Sequence, residues 1–209
     1  FHTSKEITLE AGQTMDVALD PIQIENPDIW WPNGYGEQPL YDVEIRFTAD
    51  GKKSDSKSFK SGIREMSYAI NDGALDVYVN GRRLIGNGGN WGFTEINLAY
   101  RAREYDIAIA YHADMNFTMI RNWVGMIGDD EFYEACDKYG IMVWQDFWLA
   151  NPWDGPDPFY EGMFMQNAYD MVRRIRNHPS IAFYCGRNEG NPPASLDAAL
   201  RKRVGEQHP

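Results

Sequence analysis

Residues 129–147 read Asp129-Asp130-Glu131-Phe132-Tyr133-Glu134-Ala135-Cys136-Asp137-Lys138-Tyr139-Gly140-Ile141-Met142-Val143-Trp144-Gln145-Asp146-Phe147. The three leading acids put negative charge where the positive end of a helix macrodipole favours it. Phe132, Cys136 and Tyr139 continue one helical face, and Gly140 follows as a natural left-handed residue past the helix end. Ile141 to Trp144 is a short apolar run, closed by the polar pair Gln145-Asp146. The stretch predicts a helix, a tight turn and a strand buried on both faces, which is the repeating unit of a parallel sheet.

The same rhythm extends in both directions. Residues 99–113 carry Ala102, Tyr105, Ile109 and His112 at helical spacing, and Phe117 to Ile120 is a short apolar strand. Met165, Ala168, Val172 and Ile175 mark a third helix, stopped by His178-Pro179, and Ile181 to Cys185 is a further apolar run. Asn80-Gly81 lies between Val77-Tyr78-Val79 and Arg83-Leu84-Ile85. It predicts a two-residue hairpin, because both central residues of a type I′ turn need positive φ. Such a parallel sheet fits a doubly wound fold or a (β/α)8 barrel. No Gly-x-Gly-x-x-Gly follows any strand, which weighs against a dinucleotide fold.

In a barrel, chemistry collects at the C-terminal ends of the strands. The polar residues there are Asn90, then Arg121-Asn122, then Gln145-Asp146, then Arg187-Asn188-Glu189. Singly, each reads as a cap or a loop residue. Their recurrence at four successive strand ends predicts a site. Glu189 is its most informative carboxylate. Desolvation at the end of a buried strand would raise its pKa, and a pair with Arg187 would lower it. A general acid at neutral pH needs the first; a loop ion pair gives the second. His178, just before a proline, reads as a structural histidine.

Before residue 70 the pattern is strands and turns. Ile7-Thr8-Leu9 and Met15 to Leu19 alternate about a turn at Ala11-Gly12-Gln13, and residues 40–47 alternate over a strand length. Asp50-Gly51 turns the chain, and Ser54 to Ile70 reads as one long strand bent at Gly62. Short strands with no helical period between them suggest an antiparallel sandwich. The expected division is 1–70 as sandwich and 71–209 as barrel.

Composition narrows the function. The chain has 209 residues, 31 acidic against 20 basic, and a formal net charge of −11. It lacks the basic footprint that phosphate contacts require, so no nucleic-acid partner is expected. No apolar run approaches the ~20 residues needed to cross a bilayer, so no membrane partner is expected either. Residue 1 is Phe, which leaves localisation open. Cys136 and Cys185 are too few for a disulfide framework, and no Cys/His spacing suggests a zinc site or other metal centre. The 7 Trp and 12 Tyr are side chains that stack on sugar rings or fill cores.

The sequence resembles glycoside hydrolase family 2, nearest its β-mannosidase, exo-β-glucosaminidase and β-galactosidase-like members, along nearly the whole chain. Ile29-Trp30-Trp31-Pro32-Asn33-Gly34-Tyr35-Gly36, followed by Gln38-Pro39-Leu40-Tyr41, is similar to a segment of the family's immunoglobulin-like sandwich. Gly62-Ile63-Arg64 resembles that domain's exit, and Val79-Asn80-Gly81-Arg82-Arg83 the hairpin that opens the barrel. Gly89-Asn90-Trp91, Ile120-Arg121-Asn122-Trp123, Phe132 to Phe147, and Asn177-His178-Pro179-Ser180 with Asn188-Glu189 resemble four successive barrel units.

The resemblance implies a partial immunoglobulin-like β-sandwich followed by the first half of a (β/α)8 TIM barrel. It implies an enzyme, a retaining hydrolase of terminal β-glycosidic bonds, with an oligosaccharide or polysaccharide-derived glycoside as substrate and no cofactor. Glu189 would be the general acid/base. Asn188 would hydrogen-bond the sugar 2-OH, and Arg121 would hold the nucleophilic carboxylate ionised. Trp123 and Trp91 would line the sugar subsite, with a core role as the alternative for each. Asn90 belongs to the same substrate-binding set. Asp146 would orient Arg121 or another donor.

Three departures stand out. Val124-Gly125-Met126-Ile127-Gly128 replaces three glycines, and Asn122 replaces an apolar residue. The stretch Trp148 to Pro156 also differs from a β-mannosidase pattern, so mannoside, galactoside and glucosaminide stay open. The family's nucleophile is a Glu on the seventh strand, which the resemblance places outside this chain with the enzyme's remaining domains. Glu95 is the nearest substitute here, and no motif supports it. The isolated chain is therefore expected to be inactive. A non-catalytic carbohydrate-binding module on a degenerate barrel is the alternative, and another (β/α)8 glycosidase a third reading.

Overall fold

The computed structural model describes residues 1–92, 100–125, 128–153 and 155–208. Glu95, Met126, Ile127 and Asp154 lie outside the described residues.

The chain builds antiparallel hairpins first and parallel β/α units second. Strands β1 (Tyr41–Ala49) and β2 (Lys52–Ser61) pair antiparallel across Asp50-Gly51. Both turn residues have left-handed φ, 50° and 72°, as a type I′ connection needs. Strands β3 (Met66–Asn71), β4 (Ala74–Val79) and β5 (Arg82–Leu84) form a second antiparallel sheet in that order. Its turns are Asp72-Gly73 and Asn80-Gly81, again with positive φ at both residues.

Two expectations for this half are corrected. Residues 7–9 and 15–19 form no strand and are largely exposed. Alternation makes a strand only where a neighbouring strand takes its hydrogen bonds and its apolar face; none of the described strands pairs with these segments. Only the turn at Gly12 forms, with the Gln13 amide donating to the Glu10 carbonyl at 3.0 Å. The second correction concerns the long strand read from Ser54 to Ile70. It is two strands, and β3 leaves β2 to pair with β4. The break falls at residues 62–65, so a boundary at residue 70 would cut β3.

The second half is a four-stranded parallel sheet. Its strands are β6 (Gly88–Trp91), β7 (Met119–Asn122), β8 (Met142–Asp146) and β9 (Ile181–Cys185), neighbours in chain order. Helices α1 (Ala102–Asp114), α2 (Asp130–Tyr139), α3 (Glu161–Ile175) and α4 (Ala194–Gln207) follow the strands in turn. Their buried residues share one core with Ile120, Val143 and Ile181, so all four helices cover the same sheet face. The unreversed strand order and one-sided helices exclude the doubly wound alternative. The other face, at Met142 and Ala182, packs on Trp30 and on Val77, Val79 and Leu84 of the antiparallel sheet.

That contact is made at the N-terminal ends of the parallel strands. Trp30 is fully buried there, and its indole donates to the Asp137 carbonyl at 2.8 Å. Asn33 donates from its side chain to the Ala113 and Phe117 carbonyls and from its amide to Gly140. Arg64 donates to the Pro179 and Ile181 carbonyls, and the Tyr68 hydroxyl to that of Ala182. His178 Nδ1 lies 2.6 Å from the buried Asp137 carboxylate, which also accepts the Ser180 amide. Its surroundings are those of the structural histidine expected.

Gly140 joins two of these features. Its φ is 75°, and a Cβ there would lie 2.5 Å from the Asn33 amide nitrogen. The left-handed backbone alone costs about 1–2 kcal/mol for a residue with a side chain. Gly140→Ala is therefore expected to lose at least that much stability, read as a lower urea midpoint at unchanged slope.

Candidate active site

Period two along a strand decides which polar residues meet. Register partners across adjacent parallel strands point the same way. Asn90, Arg121 and Trp144 are register partners, and all three line one cavity. Trp91, Asn122 and Gln145, one residue further along each strand, face the helices. There Trp91 packs against Tyr100, His112 and Phe132 in the core, the second of the two roles weighed for it from sequence. Asn122 and Gln145 are likewise removed from the set of strand-end donors. The Gln145 Oε1 accepts from Asn122 Nδ2 at 3.0 Å and from the Tyr133 hydroxyl at 2.9 Å.

The cavity encloses about 720 Å³. Arg121 and Asn90 stand on its wall with Met119, Trp144 and Phe183. Cys185 lines it too, and burial pushes its thiol pKa up, so it stays protonated.

Four of the expected site residues form one network at the ends of β7, β8 and β9. Asp146 is fully buried and accepts Nε of Arg121 at 3.1 Å and its NH2 at 2.7 Å. The same carboxylate accepts the Val124 amide at 2.9 Å. Arg121 NH2 also donates to Asn188 Oδ1 at 2.9 Å, and Trp123 Nε1 donates to that oxygen at 3.1 Å. Two N–H donors converge on this atom, so it is the amide oxygen and the orientation of the Asn188 side chain is chemically fixed. The Nδ2 of Asn188 donates to Asn151, leaving its second proton for another acceptor. The NH1 group of Arg121 makes no hydrogen bond with the described residues. The Arg121 guanidinium lies 4.7 Å over the Trp144 ring, which holds the plane of the fork.

Glu189 follows Asn188 directly and is exposed. It makes no ion pair or hydrogen bond with the described residues. The pairing with Arg187 weighed from sequence does not form, because Arg187 is turned inward. It donates to the Ala150 and Gly155 carbonyls and pairs with Asp157 at 2.5 Å. Glu189 adopts φ 47° and Val124 φ 51°. Left-handed backbone is uncommon for non-glycine residues and a true outlier for a β-branched one. Both outliers adjoin the network, where surrounding bonds hold strained backbone in place.

Sequence reasoning missed Asn151, the partner of Asn188, and the Val124 amide. No residue-type signal marks either, since one is a loop amide and the other a backbone group. Trp144 is level with Arg121, which only the strand register reveals. Among the described residues no group of three or more His, Cys, Asp and Glu could hold a metal ion.

The model for glycosyl hydrolases family 2 matches residues 2–64. A mannosylglycoprotein endo-β-mannosidase from Lilium longiflorum is 37% identical over 221 aligned residues, which cover all of this chain and 23% of the relative. The chain belongs to glycoside hydrolase family 2. Another relative, β-mannosidase B of Aspergillus terreus, is 35% identical over 88% of the chain and 23% of its own length. Among solved structures, a β-D-mannosidase from Dictyoglomus thermophilum superposes with a TM-score of 0.78 at 26% identity, over 90% of the chain and 26% of that structure. The family 2 chain thus spans about a quarter of the length of the relatives it matches.

Proposed function

We propose that this family 2 chain carries the proton-donor side of a retaining β-glycosidase site, with Glu189 as the acid/base. The observation that supports it is the Arg121–Asp146–Asn188–Trp123 network, with the exposed Glu189 as the next residue in the chain after Asn188. In the first step Glu189 gives its proton to the glycosidic oxygen as the anomeric C–O bond breaks and a nucleophilic carboxylate bonds to the anomeric carbon. In the second, the Glu189 carboxylate takes a proton from the water that displaces that carboxylate. The free Nδ2 proton of Asn188 donates to the sugar 2-OH. Arg121 NH1 is the donor for the nucleophile, while Asp146 holds its guanidinium still. Trp123 and Asn90 border the bound sugar.

The nucleophile is proposed to lie outside residues 1–209. Strands β6–β9 would then be the first half of a (β/α)8 barrel, and residues 1–70, or 1–65 if the division follows the strand break, part of an immunoglobulin-like sandwich. The substrate class proposed is β-mannosides, the sugar named for the lily and Aspergillus relatives. The chain on its own should not turn over nitrophenyl glycosides.

A 2-deoxy-2-fluoro β-mannosyl reagent tests this in a longer protein that carries the chain. It traps the covalent intermediate on the nucleophile. Peptide mapping is expected to find the label on a carboxylate outside residues 1–209. A label on Glu189 or on Glu95 overturns the assignment.

A further inference from the structure

The connection from β8 to α3, residues 147–160, is long for a strand-to-helix loop, and loops of that length are commonly functional. It is also pinned from beneath. Buried Arg187, 6% exposed, donates to the Ala150 carbonyl at 2.9 Å and the Gly155 carbonyl at 3.0 Å, and pairs with Asp157. The Asn188 amide donates to the Leu149 carbonyl at 3.0 Å, and its side chain to Asn151. Gly190 completes the seam. A Cβ at Gly190 would lie 2.6 Å from Pro152 Cγ, so the backbone just past Glu189 rests directly on Pro152.

The next residue is Trp153, which is 72% exposed. Of the seven tryptophans, only Trp123 and Trp153 are exposed. Both adjoin the Asn188-Glu189-Gly190 segment. Trp123 reaches it from the turn after β7 through its bond to Asn188, and Trp153 from the loop after β8 through Pro152. A large aromatic ring left in water on a pinned loop is informative, because ordinary packing would bury it. Its flat face suits the C–H face of a pyranose, and the rigid loop lowers the ordering cost of binding.

We propose that Trp153 is the stacking platform for the sugar on the leaving-group side of the scissile bond. The proposal rests on Glu189 being the proton donor, since the leaving-group oxygen is the atom that donor serves. Trp123, bonded to Asn188, then borders the sugar that is cleaved off, and Trp153 borders the sugar that departs.

The test uses a longer protein that carries the chain and two substrates with the same non-reducing sugar. One is a β-linked disaccharide, and the other is the glycosyl fluoride, whose leaving group has no ring to stack. Trp153→Ala is expected to lower kcat/KM on the disaccharide about tenfold or more, which is ~1.4 kcal/mol. It should leave the fluoride within twofold. Trp153→Phe should restore most of the loss. An unchanged disaccharide rate, or equal losses on both substrates, overturns the platform. Glu189→Gln is assayed beside it on the disaccharide. Undiminished turnover by that variant overturns the proton-donor reading and the platform with it. Its loss, together with an unchanged Trp153→Ala ratio, overturns the platform alone.

Discussion

In a longer protein that carries the chain, Glu189→Gln is expected under the proposed function to lower kcat/KM on a β-linked disaccharide by about 10²–10⁴-fold, the usual contribution of a positioned general acid. The amide keeps the size of the side chain and removes the transferable proton. An alkoxide sugar is a poor leaving group and needs that proton. Fluoride departs without it, so the first step on a glycosyl fluoride should be far less affected. Folding should be unaltered, since Glu189 is exposed and makes no bond with the described residues. A variant that keeps its disaccharide rate removes Glu189 from the chemistry.

Asp146 should give the largest effect on stability. Its carboxylate is fully buried and holds Arg121 by two nitrogens, with the Val124 amide as a further donor. Removing one partner of a buried ion pair leaves the other charge uncompensated, at about 3–5 kcal/mol. Asp146→Leu is expected near the lower end, because the Arg121 side chain retains 20% exposure and can recruit water. The loss would appear as a lower urea midpoint. Adding Arg121→Met should recover part of the stability, because the stranded cation is gone, yet leave a longer protein that carries the chain without activity. That split separates a residue that orients the site from one that only supports the fold. Simple additivity of the two losses would show that the pair is not coupled.

Much of the fold is legible in the sequence wherever a local rule is strong. Asp129 to Asp146 forms the helix, left-handed glycine and strand that its residues predict. The Asp50-Gly51 and Asn80-Gly81 turns sit where positive φ is required. The strand at 117–120 is displaced to 119–122, within the usual uncertainty of element ends. Helix α4 is not among the sequence expectations, although Leu196, Leu200 and Val204 recur every fourth residue. The strands expected at 7–9 and 15–19 fail for a different reason. Alternation states which side is apolar and not whether a partner exists.

For the site, residue type identified the strand ends but not their facing. Asn90 and Trp91 are adjacent in sequence and lie on opposite faces of the sheet. The same holds for Arg121 and Asn122, and for Trp144 and Gln145. Only register sorts them, and register is a property of neighbouring strands. Arg187 misled in a similar way. An Arg two residues before a Glu looks like its partner, but here it is buried in the opposite direction, in a loop whose carbonyls no composition rule would pair with it.

The anchoring contacts of Trp30, Asn33, Arg64 and Tyr68 all lie at the N-terminal ends of the parallel strands. The loops that border Glu189 leave from the opposite ends. Inheritance can therefore act on the two ends separately. Under the proposed function, replacements after β7 and β8 would alter which glycan is accepted while the docking surface at the opposite strand ends goes untouched. Divergence of sugar preference within such a lineage would be read in residues 123–128 and 147–160, and its shared ancestry in the segment around Trp30.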